Sequence, residues 1–248
     1  MEGNEKNLIR AAGLIANARH LVAFTGAGIS VESGIPPFRG EEGIWTRYDP
    51  SVLDIDYFNA DPEASWGVIV QIFYTYFLDA RPNAAHMLLA QLEQCGILKA
   101  VITQNIDNLH REAGNREVIE YHGNSGFLVC THCGNRYELT DVPLEPLPPR
   151  CENDRSVLKP DFTFFGEGIP AEAAERSMEE VTMADLLLII GTTGEVMPAA
   201  MLPSVAKSNG AGIIEINPGP TAFTYGLTDL YLKGRAGEIC ESLGTYLF

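Results

Sequence analysis

The sequence predicts an α/β fold, a doubly wound parallel sheet carrying two insertions. Short, wholly apolar runs alternate with stretches of helical spacing. The first apolar run ends in a glycine turn. A proline-rich stretch with three cysteines interrupts the alternation. Strands that alternate with helices build a parallel sheet covered on both faces.

The elements follow in chain order. Asn4 to Ala18 places Leu8, Ile9, Ala12, Ile15 and Ala16 at helical spacing. Leu21–Thr25 is a short apolar run that stops at Gly26, the pattern of a buried strand. Ala100–Thr103, Val118–Glu120, Leu186–Ile190 and Ile213–Ile216 repeat it. Asp61-Pro62 opens a helix with a cap acceptor and a first-turn proline. Asn83 to Gln94 reads as another, closed near Gly96. The interruptions are Gly34 to about Asp79, which begins as loop and turns helical and aromatic, and Cys130 to about Lys159.

Composition limits the function. The chain has 248 residues, with 33 acidic against 17 basic side chains and a formal charge of -16. Such a surface repels phosphate backbones and anionic lipid, so neither nucleic acid nor membrane is an expected partner. It suits a basic partner, such as a lysine-rich peptide, and equally serves solubility alone. No apolar run approaches the roughly 18 residues of a membrane span, and Met1–Arg10 lacks an apolar signal core. Five cysteines, an odd number, argue for a reducing, cytoplasmic setting. Cys95 and Cys240 read as core residues, and the chain is expected to be a monomer.

Thr25-Gly26-Ala27-Gly28-Ile29-Ser30 follows the first strand. Glycines there permit a tight turn and let backbone N–H groups approach a pyrophosphate. Val31 replaces a third glycine, and no acidic residue ends a second strand about 20 residues on. On this pattern alone, dinucleotide loop and structural turn stand level, and an ordinary dehydrogenase is disfavoured. In Glu32–Gly40, Arg39 suits a phosphate and Phe38 suits a lid over a reacting centre. On composition alone a surface loop with Phe38 in the core is the favoured reading.

Thr103–His110 leaves the second strand with Gln104, Asn105 and Asp107 in close succession. Ligands of open parallel sheets bind at the carboxyl ends of strands. These side chains can hold a sugar, an amide or water, or Asp107 can simply cap a helix. His122, at the end of the third strand, is the general-base candidate. Cys130-Thr131-His132-Cys133 is half of a zinc site, and Cys151 and Asp154 offer the other half as C-x-x-D. An eroded, metal-free module is the alternative.

Together these pieces resemble the sirtuin family of NAD-dependent protein deacylases. The likeness runs through Gly26–Ser30, Gly34-Ile35-Pro36 with Phe38-Arg39, Thr103–His110, His122-Gly123, the cysteine knuckle, Phe165-Gly166-Glu167, Gly191-Thr192-Thr193, Ile216-Asn217 and Gly234–Glu238. It implies a Rossmann-like large part (1–34, 80–125, 165–248) and a smaller zinc-module and helical part (35–79, 126–164). NAD and an acyl-lysine peptide would enter between them. The acyl oxygen would attack the nicotinamide ribose, and nicotinamide and O-acyl-ADP-ribose would leave.

The resemblance also assigns roles. His122 acts as base on the ribose hydroxyls. Asn105 and Asp107 hold the nicotinamide end, and Gln104 the ribose. Gly26, Ala27, Gly28, Phe38, Arg39, Gly191, Thr192, Thr193, Asn217 and Ala236 line the rest of NAD. Phe165, Gly166 and Glu167 pair with the peptide backbone as an added strand. Cys130, Cys133, Cys151 and Asp154 hold structural zinc.

Two departures bear on specificity. Phe162 and Thr163 stand where paired valines are usual, which alters the lysine channel. Succinyl-removing relatives carry a Tyr-x-x-Arg pair that falls here on Ile69 and Ile72. Both are apolar, so the acyl group is expected to be neutral, acetyl or longer. An ADP-ribosyltransferase or NAD hydrolase, or a non-catalytic nucleotide sensor, are the rival activities on this scaffold.

Overall fold

The structure is a computed structural model describing residues 2–38, 40, 43–77 and 79–248. The described residues form nine strands: β1 Leu21–Thr25, β2 Leu98–Thr103, β3 Val118–Glu120, β4 Gly123–Cys130, β5 Arg136–Glu138, β6 Leu158–Phe162, β7 Leu186–Ile190, β8 Gly212–Asn217 and β9 Leu230–Lys233. Six make one sheet in the order β3-β2-β1-β7-β8-β9, with every neighbouring pair parallel. The chain lays β1 to β3 outward in one direction, then returns to start β7 on the other side of β1. That reversal is the switch point at which open α/β sheets bind nucleotides.

Period-two alternation explains why the central strands are apolar throughout. Leu21 and Ala23 face the helices Glu2–Asn17, Ala84–Gln94 and Ala236–Leu247, and pack with Leu8, Ile15, Leu89 and Leu243. Val22 and Phe24 face the other side, with Val181 of Ala171–Met183 and Leu202 of Leu202–Ser208. Each helix start has its local cause. Asp61 Oδ1 accepts the Ala64 N–H (3.0 Å). Asn83 Oδ1 accepts the Ala85 N–H, while His86 Nδ1 accepts the Asn83 N–H, a reciprocal cap. Gly96, at φ +74°, ends that helix as expected.

Four strands were not read from the sequence. β9 is a four-residue edge strand whose Leu230 and Leu232 are buried while Lys233 is exposed, so it alternates and does not read as an apolar run. β4, β5 and β6 form a separate antiparallel sheet, ordered β5-β4-β6. Its core is a third cluster containing Trp66, Phe73, Leu128, Phe162 and Phe164. Trp66 Nε1 donates to the Leu158 carbonyl (2.8 Å), pinning the helix Pro62–Ile69 to β6. Cys240 is buried, but Cys95 is exposed, because it lies just beyond the last turn of its helix. Among the described residues no helix is long and apolar enough to cross a membrane.

At the switch point two glycine turns touch. Gly26 N–H donates to the Ile190 carbonyl (3.1 Å) and Gly28 N–H to that of Gly191 (2.8 Å). A Cβ on Gly28 would sit 2.7 Å from Gly191 Cα. Backbone cannot retreat as a side-chain tip can, so Gly28→Ala should destabilise the fold by about 1–3 kcal/mol. Urea unfolding measures this, and an unchanged midpoint would refute the contact.

Candidate active site

A cleft of about 650 Å³ opens over the carboxyl ends of β1, β7 and β8. Its walls include Gly26, Ala27, Gly28, Phe38, Gln104, Asn105, His122, Gly191, Thr192, Thr193, Asn217 and Ala236, together with Phe162, Phe165, Gly166 and Glu167. Sites named separately in the sequence thus share one space. Arg39 lies outside the described residues.

The polar strand end is a closed network. Asn105 Nδ2 donates to Ser30 Oγ (3.1 Å) and Asp107 Oδ2 (3.2 Å), and Ser30 Oγ donates to the same carboxylate oxygen (2.7 Å). Asp107 Oδ1 accepts the Leu109 N–H (3.0 Å). Asp107 thus accepts the first N–H of the helix Leu109–Ala113, next to the cap position at Asn108, and it lies behind the cleft wall, where it is not a lining residue. Burial pushes its carboxyl up, against these donors. Below the network, Thr25 Oγ1 donates to Thr103 Oγ1 (2.9 Å), which accepts the Asn105 N–H (3.1 Å). Gln104 Nε2 bridges to the second turn through Thr192 Oγ1 (3.0 Å).

His122 hangs at the edge of this network. Its Nδ1 lies 3.1 Å from the Gln104 carbonyl oxygen. A carbonyl only accepts, so Nδ1 carries the proton and Nε2 keeps its lone pair. Desolvation lowers the imidazole below its usual 6.5. A neutral imidazole with one nitrogen tethered is a base with a fixed direction.

The apolar wall differs from expectation at two residues. Ile69 and Ile72 are buried in the third cluster and are not in the cleft wall. Val70–Tyr74 is a π-helical turn. A π turn inserts a residue, and Phe73 takes the position on the wall. Phe38 stacks near Trp45 (ring centroids 5.5 Å) and Phe73 (6.2 Å), so it is at once packed and part of the wall. Trp45 and Phe73 were not singled out in the sequence; an aromatic-rich insertion was the only signal.

Phe165, 46% exposed, already has backbone partners. Its N–H donates to Leu53 O (2.8 Å), and its carbonyl accepts the Ile55 N–H (3.0 Å). Gly166, at φ +89°, sits in the turn that the Glu167 N–H closes on the Phe164 carbonyl (3.0 Å). Lys159, a buried ammonium missed in the sequence, supports the segment: Nζ donates to Phe162 O (2.7 Å) and pairs with Glu167 Oε2 (3.0 Å).

In the module, the ligand atoms of Cys130, Cys133, Cys151 and Asp154 all lie within 4.8 Å of one another. Cys130 Sγ accepts the His132 and Cys133 N–H groups (3.4 Å each), as a metal-bound thiolate does. Asp154 is held down at about 2, chiefly by the Ser156 N–H, so it offers an ionised oxygen. Three thiols and one carboxylate in this arrangement fit tetrahedral zinc. Tyr137 Oη, 3.1 Å from Cys151 Sγ, supports the sulfur from behind.

Residues 26–198 match the model of the Sir2 family. The chain belongs to the Sir2 family. An NAD-dependent protein deacylase of Aeropyrum pernix is 46% identical over 238 residues, spanning 94% of each chain. An NAD-dependent protein deacetylase of Caldivirga maquilingensis is 44% identical over 246 residues, covering 97% of this chain and 92% of that one. Among solved structures, a Sir2 homologue bound to NAD superimposes with a TM-score of 0.89 at 42% identity, covering 96% and 93% of the two chains. A Sir2 variant with a deacetylated p53 peptide and 3′-O-acetyl ADP ribose gives 0.88 at 35% identity, covering 95% and 96%.

Purified protein should hold about one zinc per chain, the capacity of a single four-ligand set. Asp154→Ala should weaken retention against a chelator by at least about tenfold. Undiminished retention in that variant would exclude Asp154 as a ligand.

Proposed function

We propose that this Sir2-family chain removes neutral acyl groups from lysine side chains of proteins or peptides, consuming NAD. One observation carries the reading: a neutral His122, tethered through Nδ1, lines a cleft that also contains both glycine turns and the Phe165–Glu167 segment.

Bound NAD would supply an electrophilic ribose carbon and a nicotinamide leaving group. The residues divide the remaining work. Gly26, Gly28 and Gly191, whose N–H groups are bonded to the Ile190, Gly191 and Ile216 carbonyls, let the ligand approach closely, and Ala27, Thr192 and Thr193 present backbone to the pyrophosphate. Asn105 and Asp107, already fixed by Ser30, hold the nicotinamide end. Gln104 and Asn217 meet the two riboses, and Ala236 closes the far wall. His122 Nε2 takes a proton from a ribose hydroxyl while the Gln104 carbonyl stabilises the tautomer. Phe38, Trp45 and Phe73 keep water from the reacting centre. Gly166 offers its backbone to the peptide, with Phe165 and Glu167 on either side. Zinc, held by Cys130, Cys133, Cys151 and Asp154, is structural. The acidic surface favours basic protein substrates over nucleic acid, and five cysteines with none in a disulfide suit the cytoplasm.

Acyl preference follows from the wall. Phe38, Trp45, Phe73 and Phe162 give a carboxylate no partner, and an unpaired charge is costly to desolvate. With NAD and peptide libraries followed by mass, acetyl and myristoyl peptides should be cleaved, and the succinyl peptide at least about tenfold more slowly. Equal turnover of acetyl and succinyl peptides would sink the assignment. Nicotinamide release without any acyl peptide would favour an NAD hydrolase instead.

His122→Ala should lower deacylation by about 100-fold or more. The pH dependence has a definite sign. The folded imidazole titrates below its usual 6.5, so the base is fully available above 6.5. Activity should fall only as pH drops below that value. The stability gained from the neutral ring is lost in the same direction. An acid limb of kcat/KM centred above 6.5 would contradict this environment.

A further inference from the structure

Glu215, in β8, is fully buried, yet among the described residues every hydrogen-bond partner it has is neutral. Oε1 accepts from Thr221 Oγ1 (2.6 Å), Thr224 Oγ1 (3.0 Å) and Asn217 Nδ2 (3.3 Å). Oε2 accepts from Thr224 Oγ1 (2.9 Å) and Thr228 Oγ1 (2.7 Å). A buried carboxylate is costly unless its lone pairs are satisfied. Here the chain between β8 and β9 wraps around the charge and supplies three hydroxyls within eight residues.

That wrapped segment props the cleft. Ala222 N–H donates to the Thr193 carbonyl (3.1 Å). The Phe223 ring lies against Gly194, where a Cβ would come within 2.6 Å of it. Asn217 Nδ2 reaches from the Glu215 carboxylate to the Thr192 carbonyl (3.3 Å). Thus one carboxylate fixes Asn217 directly and the Gly191–Gly194 turn through the segment. His122 and the Asn105 network stand on the β1–β3 side of the switch point. A dinucleotide lying across that point puts its non-reacting half over β7 and β8.

We propose that Glu215 is a positioning residue for the adenosine half of NAD, holding Asn217 and the Gly191–Gly194 turn in binding geometry. The inference rests on the proposed function only in taking the cleft as the nucleotide site. Removing charge from Glu215 leaves hydroxyls and an amide competing for fewer acceptor pairs, so the segment should loosen while the base and its network stay in place.

The test is Glu215→Gln, read by steady-state kinetics and by calorimetric titration with ADP-ribose. The KM for NAD and the dissociation constant for ADP-ribose should both rise by about tenfold. The kcat at saturating NAD should stay within about twofold, because only binding remote from the chemistry is lost. Thr228→Val, which removes one hydroxyl and keeps the volume, should move both constants the same way by a smaller factor. It also serves if Glu215→Gln does not fold. A lowered melting temperature with both constants unchanged would make Glu215 merely structural and overturn the proposal. So would a loss confined to kcat. If the wild-type protein fails to bind ADP-ribose, the functional reading itself falls. Equal binding by wild type and variant removes only the role of Glu215.

Discussion

Everything in the cleft depends on two backbones meeting without side chains. Gly28 donates to the Gly191 carbonyl at 2.8 Å, and the space between them has no room for a methyl group. This contact joins the ends of β1 and β7, where the sheet reverses its order. It sets the separation of the two turns, and Gln104 spans it by reaching Thr192. The sheet supplies rigidity, because β1 and β7 are buried on both faces. Site residues built on such strand ends inherit their precision.

From that anchor the site divides by side. The β1–β3 half carries hydrogen-bonding and proton-handling groups, packed so that Asp107, Ser30 and Asn105 satisfy one another. The β7–β8 half carries shape and backbone, with few titratable groups facing the ligand. The aromatic insertion completes the wall with Phe38, Trp45 and Phe73. Polar side chains, glycine turns and aromatic rings are thus drawn to one cleft from elements far apart in the chain.

The sheet centre was legible because doubly buried strands must be apolar throughout, as Leu21–Thr25 and Leu186–Ile190 are. The glycine turns and the polar stretch after β2 were legible as strand-end features, and the structure brings Gly26, Gly28, Gln104 and Asn105 to one cleft, but residue pattern alone left dinucleotide loop and structural turn level. β9 was hidden because an edge strand needs only alternate apolar residues. Ile69 and Ile72 were placed at the acyl position by counting from Trp66 and Pro82-Asn83, a register that carries no information on which side chains turn inward; both are buried in the aromatic cluster, and Phe73 lines the cleft. Lys159 and Glu215 were invisible for another reason. Whether a charged residue is buried depends on partners distant in sequence, Glu167 for one and a threonine-rich segment for the other.

β4 begins at Gly123, directly after His122, and ends at Cys130 in the metal knuckle. Gly123 takes φ +78°, and the pairing with β6 slips between Gly123 and Leu128, so the strand is bent. It nonetheless joins the imidazole to the sulfurs along one unbroken stretch of backbone, while the ring takes its direction from the Gln104 carbonyl. In this fold the residue beside the cleft and the first thiol of the knuckle are neighbours along the chain, although they serve different parts of the molecule.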